Sequence, residues 1–171
     1  MALQSVLLLM FPVLVVTAAL RDVTSYTIPN WISAALILAF FPVALVQGVS
    51  LEMLGGHLAI GITALATGML MFALGWIGGG DAKLFAAAAL WLGWPAVTPF
   101  VMITAIAGGA LAVLLLGLRK SPLQPLLETG PAWLGRLATH GESVPYGAAI
   151  CVGALFAFPQ SSLMQAFNAP L

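Results

Sequence analysis

The chain contains two aspartates, Asp22 and Asp81, each standing at the edge of a long apolar run. Carboxylates held within a few ångströms of each other cannot both ionise readily, so they share a proton. One is then a base able to deprotonate a water. The other is an acid able to hydrogen-bond a carbonyl and later protonate a leaving amine. Such a pair can hydrolyse a peptide bond with neither metal nor covalent intermediate, the chemistry of an aspartyl protease. The two groups titrate as a unit, so base and acid are not assigned to individual residues. Plainer roles exist for each alone: Asp22 beside Arg21 fits an ion pair at a helix end, and Asp81 fits an N-cap for a helix starting at Ala82. Ionisable groups inside a membrane bundle are costly and usually functional, which favours reading the two together.

The surroundings of each acid point the same way. Asp81 closes the run GGGD, in which Gly78, Gly79 and Gly80 carry no Cβ. A second backbone can therefore approach closely, and φ is unrestricted there. Hydrolysis requires an extended, reachable peptide, and a deformable rim beside a carboxylate supplies that access. Asp22 is followed by the polar link Thr24-Ser25-Tyr26-Thr27 and then by Ile28-Pro29-Asn30. Pro29 opens the next helix, where its missing N–H costs nothing.

The elements that hold these residues must sit in lipid. Of the 171 residues 62% are hydrophobic and 6% charged, with a mean hydropathy of +1.12. Soluble domains carry about a quarter charged residues, so an ordinary water-soluble domain is excluded. The expectation is an all-α, polytopic membrane protein, a single integral-membrane domain over 1–171. A crossing takes about 20 apolar residues. Spans are predicted near 3–20, 31–49, 54–76 and 144–160. The uncharged run 84–118 would make a helix of ~52 Å, too long for one crossing. Trp94-Pro95 divides it into a short helix near 82–94 and another at 97–118. MALQSV has no basic residue ahead of its apolar run, so 3–20 reads as a retained helix.

Charge parity tests this count of six transmembrane helices. With six spans Arg21, Lys83, Arg119, Lys120 and Arg136 fall on one side; with five, the last three fall opposite the first two. The positive-inside rule favours six, with the shared side cytoplasmic, both termini outside and both aspartates at the cytoplasmic ends of their helices. The loop near 119–143 mixes Leu123, Leu126, Leu127, Trp133, Leu134 and Leu137 with prolines and charges, which suits the membrane interface. Formal net charge is zero, which argues against nucleic acid as a partner. Cys151 is the single cysteine, leaving no intramolecular disulfide.

At these residues the chain resembles the type IV prepilin peptidases, membrane aspartyl proteases with a GxGD motif. The resemblance rests on Asp22 followed six residues later by Ile28-Pro29-Asn30, on GGGDAKL at 78–84, and on PYGAAI at 145–150. It implies that Asp22 and Asp81 are the catalytic pair. It also implies cleavage of a short basic leader from prepilin-like precursors, just before their hydrophobic stem, at the cytoplasmic face of the bacterial inner membrane. Larger members carry a domain with paired cysteines associated with methylation of the new pilin N-terminus. The link 21–30 is too short for such a domain, so the chain resembles the small form found with Flp-type pilus systems. Pilin or pseudopilin precursors and the bilayer are the implied partners. Methyltransferase activity, zinc and other cofactors are not expected.

Other residues leave alternatives open. Lys83 reads as a modulator of the acids, as a substrate contact or, more economically, as a snorkelling anchor. Asn30 and Thr27 suit either orienting a carboxylate or capping the second helix. His57 reads as a core or interfacial histidine. His140, Glu142 and Glu128 read as solvated loop residues, although the two glutamates could attract a basic leader. Gly108-Gly109 and the alanines at 86–89 are expected to be helix-packing contacts. Neither HExxH nor GxSxG occurs, and a presenilin-like site would pair its GxGD with a YD rather than with Arg21-Asp22. The rival from outside enzymology is a transporter or assembly scaffold using the acids as a proton relay or structural pair. It would suit acids at mid-membrane better than acids at one boundary.

Overall fold

The computed structural model describes residues 2–139 and 143–168, and among these every regular element is helical. In chain order they are α1 (Ala2–Ser25), α2 (Asn30–Val46), α3 (Leu51–Ala73), α4 (Gly79–Leu92), α5 (Val97–Arg119), α6 (Gln124–Glu128), α7 (Ala132–Ala138), α8 (Tyr146–Ala157) and α9 (Ser162–Asn168), with a 3-10 turn at Phe158–Gln160. Four segments are long and apolar enough to cross a membrane: Gln4–Ser25, Leu51–Ala73, Val97–Arg119 and Tyr146–Asn168. The apolar helix α2, with 17 residues, falls just short of that length. α4 has 14 residues and would extend only ~21 Å. The architecture is all-helical and multi-pass.

α4 is the axis of the bundle. Ala82, Leu84 and every residue from Ala86 to Leu92 are buried. α2 and α3 flank it, α8 lies behind, and α1 and α5 complete the surround. Small side chains make this possible, because van der Waals contact rather than hydrophobic expulsion drives helix association in lipid. A Cβ on Gly68 would lie 3.1 Å from that of Ala82, and one on Gly61 3.1 Å from that of Leu90, so α3 lies close along α4. Trp91 is fully buried and its indole N–H donates to the Leu36 carbonyl of α2 at 2.7 Å. Leucines, valines and isoleucines on the outer faces remain exposed, Val13 and Val113 among them, as a lipid-facing surface requires.

Gly108 packs as expected, with space for the Tyr146 ring where its Cβ would be, whereas Gly109 faces open space. The break in the run 84–118 also falls where the proline suggested: α4 ends at Leu92, Gly93 turns with φ +61°, and α5 starts at Val97. α2 ends at Val46 rather than 49, α3 covers Leu51–Ala73 rather than 54–76, α4 starts at Gly79 rather than 82, and three further features differ from expectation. α1 continues past residue 20 to Ser25, because Thr24 and Ser25 return their hydroxyls to the carbonyls of Leu20 and Arg21 at 2.6 Å. The last segment is divided by the turn at Phe158–Gln160, where Pro159 interrupts the ladder. The 119–143 loop holds two short helices, and α7 packs against α5 and α1. Arg119, buried at the end of α5, donates from Nε to the Leu137 carbonyl at 3.0 Å and from Nη2 to the Ser143 carbonyl at 3.2 Å.

Gly93 carries two demands at once: a left-handed φ, and the space into which a Cβ would meet the His57 ring. Gly93→Ala should therefore cost about 1–3 kcal/mol, seen as a lower melting temperature in detergent, while Gly109→Ala at an open position should leave melting unchanged.

Candidate active site

Asp22 occupies the last turn of α1, not a loop, because that helix runs on to Ser25. The chain then reverses at Tyr26, whose φ of 53° is left-handed, and the Tyr26 N–H closes the turn on the Asp22 carbonyl at 2.8 Å. A non-glycine residue in that region stores strain of the kind that gathers at functional sites. Thr27 and Ile28 follow without regular structure, and Pro29 takes the position just before the first turn of α2.

Asp81 is the third residue of α4, and Gly78 is the N-cap. Its Oδ2 accepts the Gly78 N–H at 3.1 Å, half of the reciprocal arrangement known as a capping box. Asp81 is therefore not the N-cap of a helix starting at Ala82, as its place in the sequence suggested; it caps from the third helical position, through one oxygen. Oδ1 is buried and has no hydrogen-bond partner among the described residues. A buried acceptor left unpaired costs on the order of 1–3 kcal/mol, which the capping bond on the other oxygen does not account for.

The two acids line one cavity of about 220 Å³, together with Tyr26, Thr27, Ile28 and Gly78 to Gly80. Asp22 is 5% exposed and Asp81 9%. The glycine run works by absence of Cβ and not by unusual φ. Gly78 has φ −73°, and the positive-φ glycines are Gly48, Gly75 and Gly93. A Cβ on Gly80 would lie 3.1 Å from the Ile28 Cβ and 3.4 Å from its carbonyl oxygen, so the segment after Asp22 passes directly over the first turn of α4. A Cβ on Gly78 would lie 2.9 Å from Asp81 Oδ2, and one on Gly79 only touches the Phe72 ring at 3.4 Å.

A residue that sequence reasoning did not single out completes the site. The Gly147 N–H, at the second position of α8, donates to Asp22 Oδ2 at 2.7 Å in a buried bond. The N-terminus of a helix favours negative charge, and a short bond to a carboxylate is among the stronger hydrogen bonds. A Cβ on Gly147 would lie 2.8 Å from that oxygen and 2.9 Å from the Asp22 Cβ, so a bare backbone is needed. The signal was present in PYGAAI, but its partner stands 125 residues away.

Asn30 and Thr27 are engaged elsewhere than on a carboxylate. Lys83 Nζ donates to Asn30 Oδ1 at 2.8 Å, tying the start of α2 to the start of α4, and Thr27 Oγ1 meets Ser25 Oγ at 3.0 Å. Arg136 of α7 donates to the Thr24 carbonyl at 3.4 Å, so the segment carrying α7 reaches the same end of the bundle. His57 is a core residue in α3, with Nδ1 2.6 Å from the Leu90 carbonyl and Nε2 2.8 Å from Ser162 Oγ. Leu90 lies near the opposite end of α4 from Asp81. His140 and Glu142 lie outside the described residues, as does the side chain of Glu128. Among the described residues no group of three or more His, Cys, Asp or Glu side chains comes together in a way that could hold a metal.

The sequence profile of the Type IV leader peptidase family matches residues 9–113, more than half of the chain and including both aspartates. The chain belongs to that family. A curated relative, the "Prepilin leader peptidase/N-methyltransferase" of Pectobacterium carotovorum subsp. carotovorum, is 41% identical over 58 residues, covering 34% of this chain and 20% of the relative. No solved structure matches.

If the Lys83–Asn30 bond joins α2 to α4, its two ends act as one unit. Lys83→Met and Asn30→Ala should each lower stability slightly, by about 0.5–1 kcal/mol. The double variant should cost no more than the larger single, as read from detergent denaturation midpoints in a double-mutant cycle.

Proposed function

We propose that this member of the leader peptidase family is an aspartic endopeptidase that removes the leader from prepilin-like precursors of the Flp type. The observation that carries the reading is the pair Asp22 and Asp81, 59 positions apart in sequence, lining one small buried cavity. The unpaired Oδ1 of Asp81 supports it further. The relative named above is called a leader peptidase as well as an N-methyltransferase, and only the first activity is carried over here.

The reaction follows from one proton shared by two carboxyl groups. The ionised carboxylate takes a proton from water as the water oxygen bonds to the scissile carbonyl carbon. The protonated carboxyl hydrogen-bonds the carbonyl oxygen, on which negative charge develops. As the tetrahedral species collapses, the C–N bond breaks and a carboxyl proton passes to the departing nitrogen, leaving a new acid and a new amine. The Gly147 N–H holds Asp22, and the Gly78 N–H holds Asp81, so neither group has to be ordered when substrate arrives.

The membrane arrangement we favour has six crossings, with α2 and the short α4 counted among them and α8 and α9 sharing the last. Asp22, Asp81, Lys83, Arg119 and Arg136 then stand at a common cytoplasmic end with both termini outside. The Arg136–Thr24 and Lys83–Asn30 contacts support a common end. Gly78, Gly79, Gly80 and Pro29 shape the rim through which the peptide reaches the acids, and Lys83 and Asn30 brace it.

Asp22→Asn and Asp81→Asn, each purified in detergent and melting as the parent does, should cut cleavage of a co-purified precursor by at least about 10³-fold. Cleavage at the parental rate by either variant would contradict the assignment. The parent should show a bell-shaped dependence of kcat/KM on pH, since both the fully ionised and the fully protonated pair are inactive. Chelators should leave the rate unchanged, and a zinc-reversible loss would contradict a metal-free reaction.

A further inference from the structure

A second concavity shares no lining residue with the aspartate cavity: a groove of about 590 Å³ along α4, with α2 and α3 as walls. Asn30, Lys83 and Met69 form its mouth, brought together because Lys83 binds Asn30 and Gly68 packs on Ala82. From there it runs along α2 to Ile37, along α4 to Leu90 and along α3 to Leu58, a length of about 10–16 Å. At that far end both walls are fastened to α4. His57 of α3 bonds to the Leu90 carbonyl, and the Trp91 indole bonds to the Leu36 carbonyl of α2.

Depth and charge together decide what fits. A hydrocarbon core is ~30 Å thick, so the groove reaches about halfway, the depth of one leaflet. A crossing helix needs the whole thickness, whereas an acyl chain enters from one side and ends near mid-membrane. Below the mouth the lining is apolar except for Ser33. At the mouth Lys83 is exposed, donates from Nζ to Asn30 Oδ1 at 2.8 Å, and pairs with no acid among the described residues. An ammonium carries three N–H groups, so donors remain for the oxygens of an anion. The walls are exposed at Ile37, Ile62 and Leu65, which leaves a sideways entry from the bilayer.

We propose that this groove is a binding site for an anionic glycerophospholipid, with one acyl chain lying along α4 between α2 and α3 and the phosphate on Lys83 Nζ. A fixed cation above an apolar trough of one-leaflet depth is the complement of a phosphate above an acyl chain. Such a lipid differs from the lipid around the outer faces in having its headgroup held at one place. In the six-crossing arrangement the mouth stands at the cytoplasmic leaflet, where basic pockets between helices meet anionic headgroups. The site does not depend on the peptidase reading, and its test measures lipid rather than cleavage.

The test titrates phosphatidylglycerol into delipidated protein in detergent and reads bound lipid by native mass spectrometry. The parent should bind one phosphatidylglycerol about fivefold more tightly than phosphatidylcholine. Lys83→Met should abolish that preference and Lys83→Arg should keep it. Lys120→Met, which removes an exposed cation outside the groove, should leave it unchanged. Ala34→Trp, at an exposed groove position, should weaken binding by about tenfold. Glycerol 3-phosphate, the anion without chains, should not compete. In native membranes a photo-crosslinking residue at position 34 should capture phosphatidylglycerol beyond its share of the bilayer. The same residue at position 38, 71% exposed on α2 outside the groove, should not. A parent without the preference, a preference unmoved by Lys83→Met, or capture of protein alone at position 34 would overturn the site. Should a variant not fold, the parental preference and the paired crosslinks decide.

Discussion

Two carboxylates taken out of water beside lipid must find their compensation within the protein, and here both find it in backbone N–H groups at the starts of helices. Asp22 Oδ2 accepts from Gly147 as α8 begins, and Asp81 Oδ2 accepts from Gly78 as α4 begins. Each N–H is one that its own helix leaves without an internal partner. The first bond joins the end of α1 to the start of α8; the second is local to the start of α4, whose Asp81 lines the same cavity. The arrangement demands bare backbone at Gly147 and Gly78, because a Cβ at either would lie within 3 Å of a carboxylate oxygen. Gly80 answers a related demand, since Ile28 crosses α4 there.

The rest of the bundle serves that junction. α4 is short, alanine-rich and enclosed, and so fixes Asp81 at one end while its far end is held by the Trp91–Leu36 bond and by His57 on the Leu90 carbonyl. His57 joins α3 to α4 and, through Ser162, to α9. That is a structural use for a side chain that could otherwise be taken for a general base. At the aspartate end the bracing is polar and peripheral: Lys83 to Asn30, Arg136 to Thr24, and Arg119 to two carbonyls of the following loop. The first two of these tie the ends of the link between Asp22 and α2 to α4 and α7.

Much of this was legible in the residues themselves. Apolar runs bounded by Gly, Pro and charge marked the helices, and Trp94-Pro95 marked the break between α4 and α5. The GGGD run and Asp22 with its following Ile28-Pro29-Asn30 marked the cavity that now holds both acids. What was not legible depends on side chains folding back or on partners far along the chain. The extension of α1 past residue 20 relies on Thr24 and Ser25 bonding to their own helix, which composition would read as a polar link. Gly147 could not be tied to Asp22, nor Ser162 to His57, from sequence spacing, because each pair meets across more than 100 residues. Of the glycines 78–80, Gly80 alone brings a second backbone close, at Ile28, and none of the three has a left-handed φ.

The most direct measurement is proximity of positions 22 and 81 in the native membrane. In a Cys151→Ser background, Asp22→Cys and Asp81→Cys combined should be joined by a short thiol-to-thiol crosslinker. Both thiols should also be labelled from the cytoplasmic side only. Failure of the crosslink in a protein that melts as the parent does, or labelling of the two positions from opposite faces, would contradict a shared acid pair at one rim of the bundle.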